Sequence, residues 1–157
     1  MQNDIKYLVH IDGDDAFMRV VGKAGYLNCR SAGEFFNIVA EKNCKRLLID
    51  LAECSGMDST FLGMIAGAAL RLSKNGAQVV LENPNERNRQ LIDNLGIYRL
   101  VKIAQAKAAQ AEVGTQLAVE NVPQASILAA HENLVEADAE NLKKFEDVIS
   151  FLKKEIK

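Results

Sequence analysis

The feature that most constrains the fold of this chain is the alternation of short apolar runs with helical patterns over residues 1–104. Two β-favouring runs, residues 5–11 and 16–21, flank the turn signal Asp12-Gly13-Asp14-Asp15 and predict a hairpin. Later apolar runs at 47–51, 77–81 and 97–103 alternate with helical segments. The resulting order, β-β-α-β-α-β-α-β, predicts an α/β fold in which helices cover a mixed sheet.

Local signals predict where three helices begin. The first is expected to have Ser31 as its N-cap, and the second to cover residues 58–74. The third helix has the clearest start signal, because Asn83 is a good N-cap, Pro84 suits the first helical position and Glu86 follows three residues after the cap.

The composition excludes several classes of function. The net charge is −2, so the basic surface that nucleic-acid binding needs is missing. The side chains that metal sites and most enzyme sites require are few and scattered: His10, His131, Cys29, Cys44 and Cys54. We therefore expect no metal, no cofactor and no enzymatic activity. The N-terminus lacks the pattern of a signal peptide and no apolar run is long enough to span a bilayer, which predicts a cytoplasmic protein without a membrane segment.

The composition changes after residue 104 and divides the chain into three parts. Residues 1–104 are the predicted domain, residues 105–122 a linker or weak helix, and residues 123–157 a helical tail. The tail is either one long helix or a helical hairpin in which Asp138 caps the second helix. Four apolar residues of the tail follow heptad spacing, namely Leu142, Phe145, Ile149 and Leu152. This tail interface must be buried on the domain, on a second copy of the chain as a homodimer, or on a partner.

The segment best placed to carry a function is the loop before the second helix. A strand ends near Leu51, a loop with Gly56 follows, and Asp58-Ser59-Thr60 opens the helix. Free backbone N–H groups and the helix dipole make such an end favourable to an anion, including a phosphate on a serine in the first turn. The same three residues also fit an ordinary N-cap with no further role.

The run Asp58-Ser59-Thr60-Phe61-Leu62-Gly63 resembles the Asp-Ser-Ser-Gly-Leu-Gly signature of STAS domains, the sulfate-transporter and anti-sigma-factor-antagonist family. The resemblance extends over roughly residues 3–104, through the order of the elements. It implies a STAS-like mixed sheet with helices, to which this chain adds a C-terminal helical extension. It also implies a binding module whose serine is phosphorylated by an anti-sigma kinase and whose unphosphorylated form captures that kinase.

Carried onto this sequence, the resemblance implies Ser59 as the phosphorylation site, with Thr60 as the alternative acceptor. The implied partner-binding residues are Asp58, Ser59, Thr60, Phe61 and Gly63. The implied partners are an anti-sigma-type serine kinase and a phosphatase. The alternative is a STAS scaffold subunit of a larger sensory or transport assembly, in which Ser59 is only an N-terminal helix residue and is never phosphorylated.

Overall fold

The computed structural model describes residues 5–106 and 114–156, and its centre is a six-stranded mixed sheet in the order β5-β4-β3-β2-β1-β6. The strands are β1 (Lys6–Asp12), β2 (Asp15–Ala24), β3 (Arg46–Met57), β4 (Gln78–Glu82), β5 (Lys102–Ala104) and β6 (Thr115–Gln116). The predicted hairpin is present, with β1 antiparallel to β2, while β2, β3, β4 and β5 run parallel to one another. The predicted α/β class with a mixed sheet is therefore confirmed.

Three helices belong to this domain: α1 (Arg30–Glu41), α2 (Ser59–Ser73) and α3 (Glu86–Asn94). In the central strands, every second side chain points toward these helices, because successive side chains of a strand point to opposite faces of the sheet. The inward side chains, Tyr7, Met18, Leu47, Ile49 and Leu81 among them, join the buried faces of the helices in one hydrophobic core. Residue Phe61 of α2 lies at its centre and is fully buried.

Two of the predicted helix starts are wrong. Helix α1 begins at Arg30 with Cys29 in the N-cap position and no side-chain cap, so Ser31 already lies inside the helix. Helix α3 is capped by Asn85, which accepts a hydrogen bond from the backbone N–H of Asn88 at 2.8 Å. The predicted cap Asn83 instead has a left-handed backbone with φ of 58°. Its side-chain oxygen accepts a hydrogen bond from the N–H of Ala106.

The last predicted strand, residues 97–103, is mostly not a strand. A 3₁₀ turn occupies Ile97–Arg99, and only Lys102–Ala104 pair with β4. The cause is Gly96, whose left-handed φ of 74° ends α3 and redirects the chain into a tight turn. Ile97 is buried as the first residue of this turn. The alternating apolar pattern over residues 97–103 therefore combines a buried turn residue with a short strand.

The segment predicted as a linker, residues 105–122, makes sheet contacts where it is described. Thr115 and Gln116 form β6, which pairs antiparallel with β1 at the edge of the sheet. Further along, Glu120 forms a bridge with Cys29, and Val122 donates a hydrogen bond from its backbone N–H to the carbonyl of Tyr26. Residues 107–113 of the predicted linker lie outside the described residues.

The C-terminal segment forms a helical hairpin, one of its two predicted forms. Helix α4 (Gln124–Ala137) and helix α5 (Asn141–Ile156) are separated by a turn at Asp138. The backbone of Asp138 is extended and its side chain accepts a hydrogen bond from the N–H of Glu140. Asp138 therefore ends α4 and is not the predicted cap of the second helix, which begins only at Asn141. Among the described residues, no helix is both long and apolar enough to cross a membrane.

Candidate functional site

The first turn of α2 is organised by the carboxylate of Asp58. One carboxylate oxygen accepts a hydrogen bond from the backbone N–H of Phe61 at 3.0 Å, which is the N-cap of α2. The other accepts a hydrogen bond from the N–H of Tyr26 at 2.9 Å. Gly25 permits this approach, because a Cβ there would lie only 2.5 Å from the Asp58 Oδ2 atom. Asp58 thus fixes the start of α2 and the loop after β2 in one arrangement.

The three residues after Asp58 point in different directions. Ser59, the predicted phosphorylation site, is half-buried. Thr60, the alternative acceptor, is buried with 3% of its surface exposed. The ring of Phe61 is fully buried between Tyr7 and Phe36, with ring centroids 5.9 and 6.3 Å away. Phe61, which the family resemblance implied as a partner-binding residue, therefore turns its ring toward the sheet and not toward the surface.

The hydroxyl of Ser59 is hydrogen-bonded to His131 of helix α4. Ser59 Oγ lies 2.9 Å from Nε2 of His131, across 72 positions of sequence. The other ring nitrogen of His131, Nδ1, lies 2.8 Å from the carbonyl oxygen of Ile127. A carbonyl only accepts, so Nδ1 donates to Ile127, and in that tautomer Nε2 accepts a hydrogen bond from the Ser59 hydroxyl. His131 is buried and meets the ring of Phe145 edge-on at 5.0 Å.

Helix α4 lies directly on α2 through residues with small side chains. A Cβ atom at Gly63 would overlap the backbone carbonyl of Ala130. One turn further along α2, a Cβ atom at Gly67 would overlap the side-chain amide of Asn133. That amide also donates a hydrogen bond to the carbonyl of Gly63 at 3.1 Å. Gly63, a predicted partner-binding residue, is therefore covered by the tail of its own chain.

The predicted tail interface is only partly buried. Ile149 and Leu152 are buried, and Phe145 is half-buried. Leu142 is 47% exposed, so within this chain it does not join the buried face of the tail. Leu142 is the second residue of α5, and at this end of the helix the buried side chain is that of Asn141.

Asn141 anchors the hairpin to the domain. Its side chain is fully buried, and its Nδ2 atom donates to the carbonyl of Leu95 at 2.9 Å and to that of Leu134 at 2.7 Å. The first bond reaches the end of α3 and the second the last turn of α4. The tail is therefore docked on the domain of the same chain. Sequence reasoning missed Asn141, His131 and Asn133, because their partners lie far away along the chain.

The buried groups next to the site are held in their uncharged forms. Burial raises the pKa of the Cys29 thiol to about 12, and the negative charge of Asp58 adds to the effect. Burial likewise raises the pKa of Cys54 to about 11 and raises that of the Tyr7 hydroxyl. The Tyr7 hydroxyl donates a hydrogen bond to the side chain of Asn28 at 2.6 Å. These thiols are protonated at neutral pH and offer no nucleophile.

Two exposed apolar side chains lie in the loop that Asp58 holds. Tyr26 is 49% exposed and Leu27 is 59% exposed. Their loop joins β2 to α1, and the backbone of Tyr26 is bonded to the Asp58 carboxylate. They extend the surface around the start of α2, and the sequence signal for them was an apolar pair in a glycine-containing turn. Within the described part of the chain, no group of three or more His, Cys, Asp or Glu side chains is arranged to hold a metal ion.

The fold and the first turn of α2 together define a STAS domain. A family model for the STAS domain matches residues 11–109, and the chain therefore belongs to the STAS domain family. The family resemblance predicted from residues 58–63 and the order of elements is confirmed. No curated protein matches the chain.

Solved structures of anti-sigma factor antagonists share this fold. A putative anti-sigma factor antagonist from Thermotoga maritima is 19% identical, with a TM-score of 0.53 over 64% of this chain and 86% of that chain. The anti-sigma factor antagonist SpoIIAA in its unphosphorylated form is 16% identical, with a TM-score of 0.53 over 64% of this chain and 88% of that one. An anti-sigma factor antagonist from Mycobacterium paratuberculosis is 20% identical, with a TM-score of 0.52 over 64% and 86%. At these identities the likeness concerns the fold.

Proposed function

We propose that this chain is a cytoplasmic protein-interaction switch of the anti-sigma antagonist type, which binds an anti-sigma-type serine kinase while Ser59 is unphosphorylated. Support comes from membership of the STAS family together with the position of Ser59 as the first residue of α2. The kinase transfers the γ-phosphoryl group of ATP to Ser59 Oγ, the hydroxyl proton leaves and ADP is released. A phosphatase reverses the switch by hydrolysis. The chain itself catalyses neither step.

The physical basis of the switch is the charge that a phosphate adds to the first turn of α2. The group carries about −1.5 to −2 charges at neutral pH. The N-terminus of a helix tolerates this charge, although the neighbouring Asp58 carboxylate opposes it. In a partner interface the same charge has to be desolvated, and every 1.4 kcal/mol of that cost weakens binding about tenfold. A single phosphate therefore dissociates the complex with the kinase while the domain stays folded.

A second candidate function is a STAS scaffold subunit in which Ser59 is never modified. The observation that favours it is the hydrogen bond between Ser59 and His131, because it gives the hydroxyl a structural role. In this case the chain contributes a rigid domain to a larger sensory or transport assembly.

Phosphate mapping separates the two candidates. The full chain is incubated with candidate anti-sigma kinases and ATP, and the modified residue is identified by mass spectrometry. We expect the label on Ser59, lost in Ser59→Ala and kept in the matched variant Ser55→Ala, which removes an exposed serine of β3. A chain that no cognate kinase labels at Ser59 or Thr60 is the scaffold.

Binding to the kinase gives an independent measurement. Ser59→Asp is expected to weaken the complex about tenfold or more, whereas Ser55→Asp leaves it unchanged. Circular dichroism verifies that both variants keep the fold. Equal affinity of wild type and Ser59→Asp contradicts the switch.

A further inference from the structure

The surface that the proposed partner needs is already occupied by the chain's own tail. Helix α4 covers the side of α2 that carries Ser59, Gly63 and Gly67, and the glycines leave no space between the two helices. The hydroxyl of Ser59 is bonded to His131, and the carbonyl of Gly63 accepts from Asn133. A protein that contacts Ser59 and the following turn of α2 therefore meets α4 first.

We propose that the hairpin α4–α5 is an autoinhibitory cover that competes with the kinase for the N-terminal half of α2. This inference rests on the proposed function, because it concerns access to the same serine. In the closed form Ser59 is bonded to His131 and α4 occupies the binding surface. In the open form the hairpin leaves α2, and Ser59, Gly63 and Gly67 become available to the partner.

At its closest points the contact between α4 and α2 is made by small and polar residues, namely Gly63, Gly67, Ala130 and Asn133. Leu134 of α4 is fully buried and belongs to the hydrophobic core, so release of the helix exposes that side chain. The two polar contacts between the helices, at Ser59 and at the Gly63 carbonyl, are of a kind that water replaces when the helices part. The family match ends at residue 109, before the hairpin begins at Gln124. The covered surface thus belongs to the domain itself, and the cover is an addition to it.

Phosphorylation of Ser59 and closure of the hairpin exclude each other. In the closed form the Ser59 hydroxyl is hydrogen-bonded to His131, with Oγ and Nε2 2.9 Å apart. A phosphoryl group on Oγ replaces the hydroxyl proton and adds a phosphorus and three oxygens to this contact, where the buried imidazole leaves no room for them. The modified chain therefore stays open until the phosphate is removed, and the unmodified chain closes again.

The first experiment opens the cover from the tail side, so that the surface of the domain is unchanged. Ala130→Glu places a long charged side chain at the buried contact with Gly63, and Ala129→Glu makes the same change at the neighbouring exposed position of α4. Hydrogen exchange of residues 124–156 is expected to accelerate about 100-fold in Ala130→Glu while the strands of the sheet stay protected. Ala129→Glu is expected to match wild type. Unchanged exchange in Ala130→Glu contradicts the close contact on which the cover depends.

The second measurement is binding and phosphorylation by the kinase that labels Ser59. If about one molecule in a hundred is open, the cover weakens apparent affinity about 100-fold, and Ala130→Glu recovers this factor. Ala129→Glu again serves as the control. A kinase that binds the opened Ala130→Glu chain and wild type equally well overturns the inference.

A chain carrying phosphoserine at position 59, made by directed incorporation, tests the inference without any kinase. We expect residues 124–137 to lose protection from hydrogen exchange, compared with the unmodified chain. Retained protection overturns the inference even if Ser59 is a true phosphorylation site. Failure of every kinase to label either wild type or Ala130→Glu instead refutes the proposed function, and the phosphoserine chain still decides whether the cover opens.

Discussion

Replacement of Asn141 tests how firmly the hairpin is docked on the domain. Its Nδ2 atom donates two buried hydrogen bonds, at 2.9 Å to Leu95 and at 2.7 Å to Leu134. The Leu134 carbonyl keeps a second donor, the N–H of Asp138, whereas Asn141 is the donor that bridges to Leu95 at the end of α3. Loss of the bond to Leu134 costs about 0.5–1.5 kcal/mol, and leaving the buried carbonyl of Leu95 without its donor costs ~1–3 kcal/mol. Asn141→Ala is therefore expected to destabilise the docked hairpin by about 2–4 kcal/mol.

The near-isosteric variant Asn141→Asp separates the hydrogen bonds from the packing. It keeps the volume of the side chain but turns a carboxylate oxygen toward two carbonyl oxygens, so we expect it to destabilise at least as much as Asn141→Ala at neutral pH. Asn75→Ala is the control, because Asn75 is exposed. It is expected to change stability by less than about 0.5 kcal/mol.

Urea unfolding gives the free energy of unfolding, and hydrogen exchange of residues 124–156 reports the hairpin separately when it opens on its own. A stable Asn141→Asp chain, with exchange in α4 and α5 equal to wild type, refutes the reasoning. It would mean that the donor of Asn141 does not hold the hairpin in place.

Three further predictions follow from the core and the sheet. Phe61→Ala is expected to destabilise the domain by about 3–5 kcal/mol, since it removes a fully buried ring, whereas Phe151→Ala at an exposed position of α5 changes urea unfolding little. Cys29 and Cys54, whose pKa values burial raises to about 12 and about 11, are expected to resist iodoacetamide at pH 8 in the native chain and to react in denaturant; labelling of the native chain counts against this assignment. Burial and the charge of Asp50 raise the pKa of Glu82, so ionisation of this carboxyl lowers the stability of the fold as pH rises through its pKa. Glu82→Gln is therefore expected to be slightly more stable than wild type in urea unfolding at pH 7. The difference disappears at pH values below the ordinary range of a glutamate, and equal stability at pH 7 contradicts the prediction.

The parts of the fold that were predictable are those that neighbouring residues decide. The hairpin of β1 and β2 follows from an alternating pattern and a short acidic turn with Gly13. The start of α2 follows from Asp58, whose side chain reaches a backbone N–H only three residues away. Where two nearby residues suit the same structural position, the sequence pattern does not decide between them. Asn83 and Asn85 both suit an N-cap, and the left-handed backbone of Asn83 leaves the position to Asn85.

The candidate site was likewise predictable only in part. The sequence indicated the turn with Ser59, because capping residues, a glycine-containing loop and an apolar helix follow one another there. It did not indicate which side chains of that turn face outward. Phe61 was implied as a partner-binding residue, but its ring is fully buried in the core, because this position of α2 faces the sheet.

The sequence by itself determined the order of strands and helices as far as β5, the α/β class and the serine at the start of α2. The tertiary structure alone decided that the tail closes over that serine. The reason is distance along the chain: caps, turns and apolar periodicity act over a few residues, whereas the contact between Ser59 and His131 joins positions 72 residues apart. Such a contact exists only after α2 and α4 have packed through Gly63 and Gly67, and no local pattern specifies which pair of helices will meet.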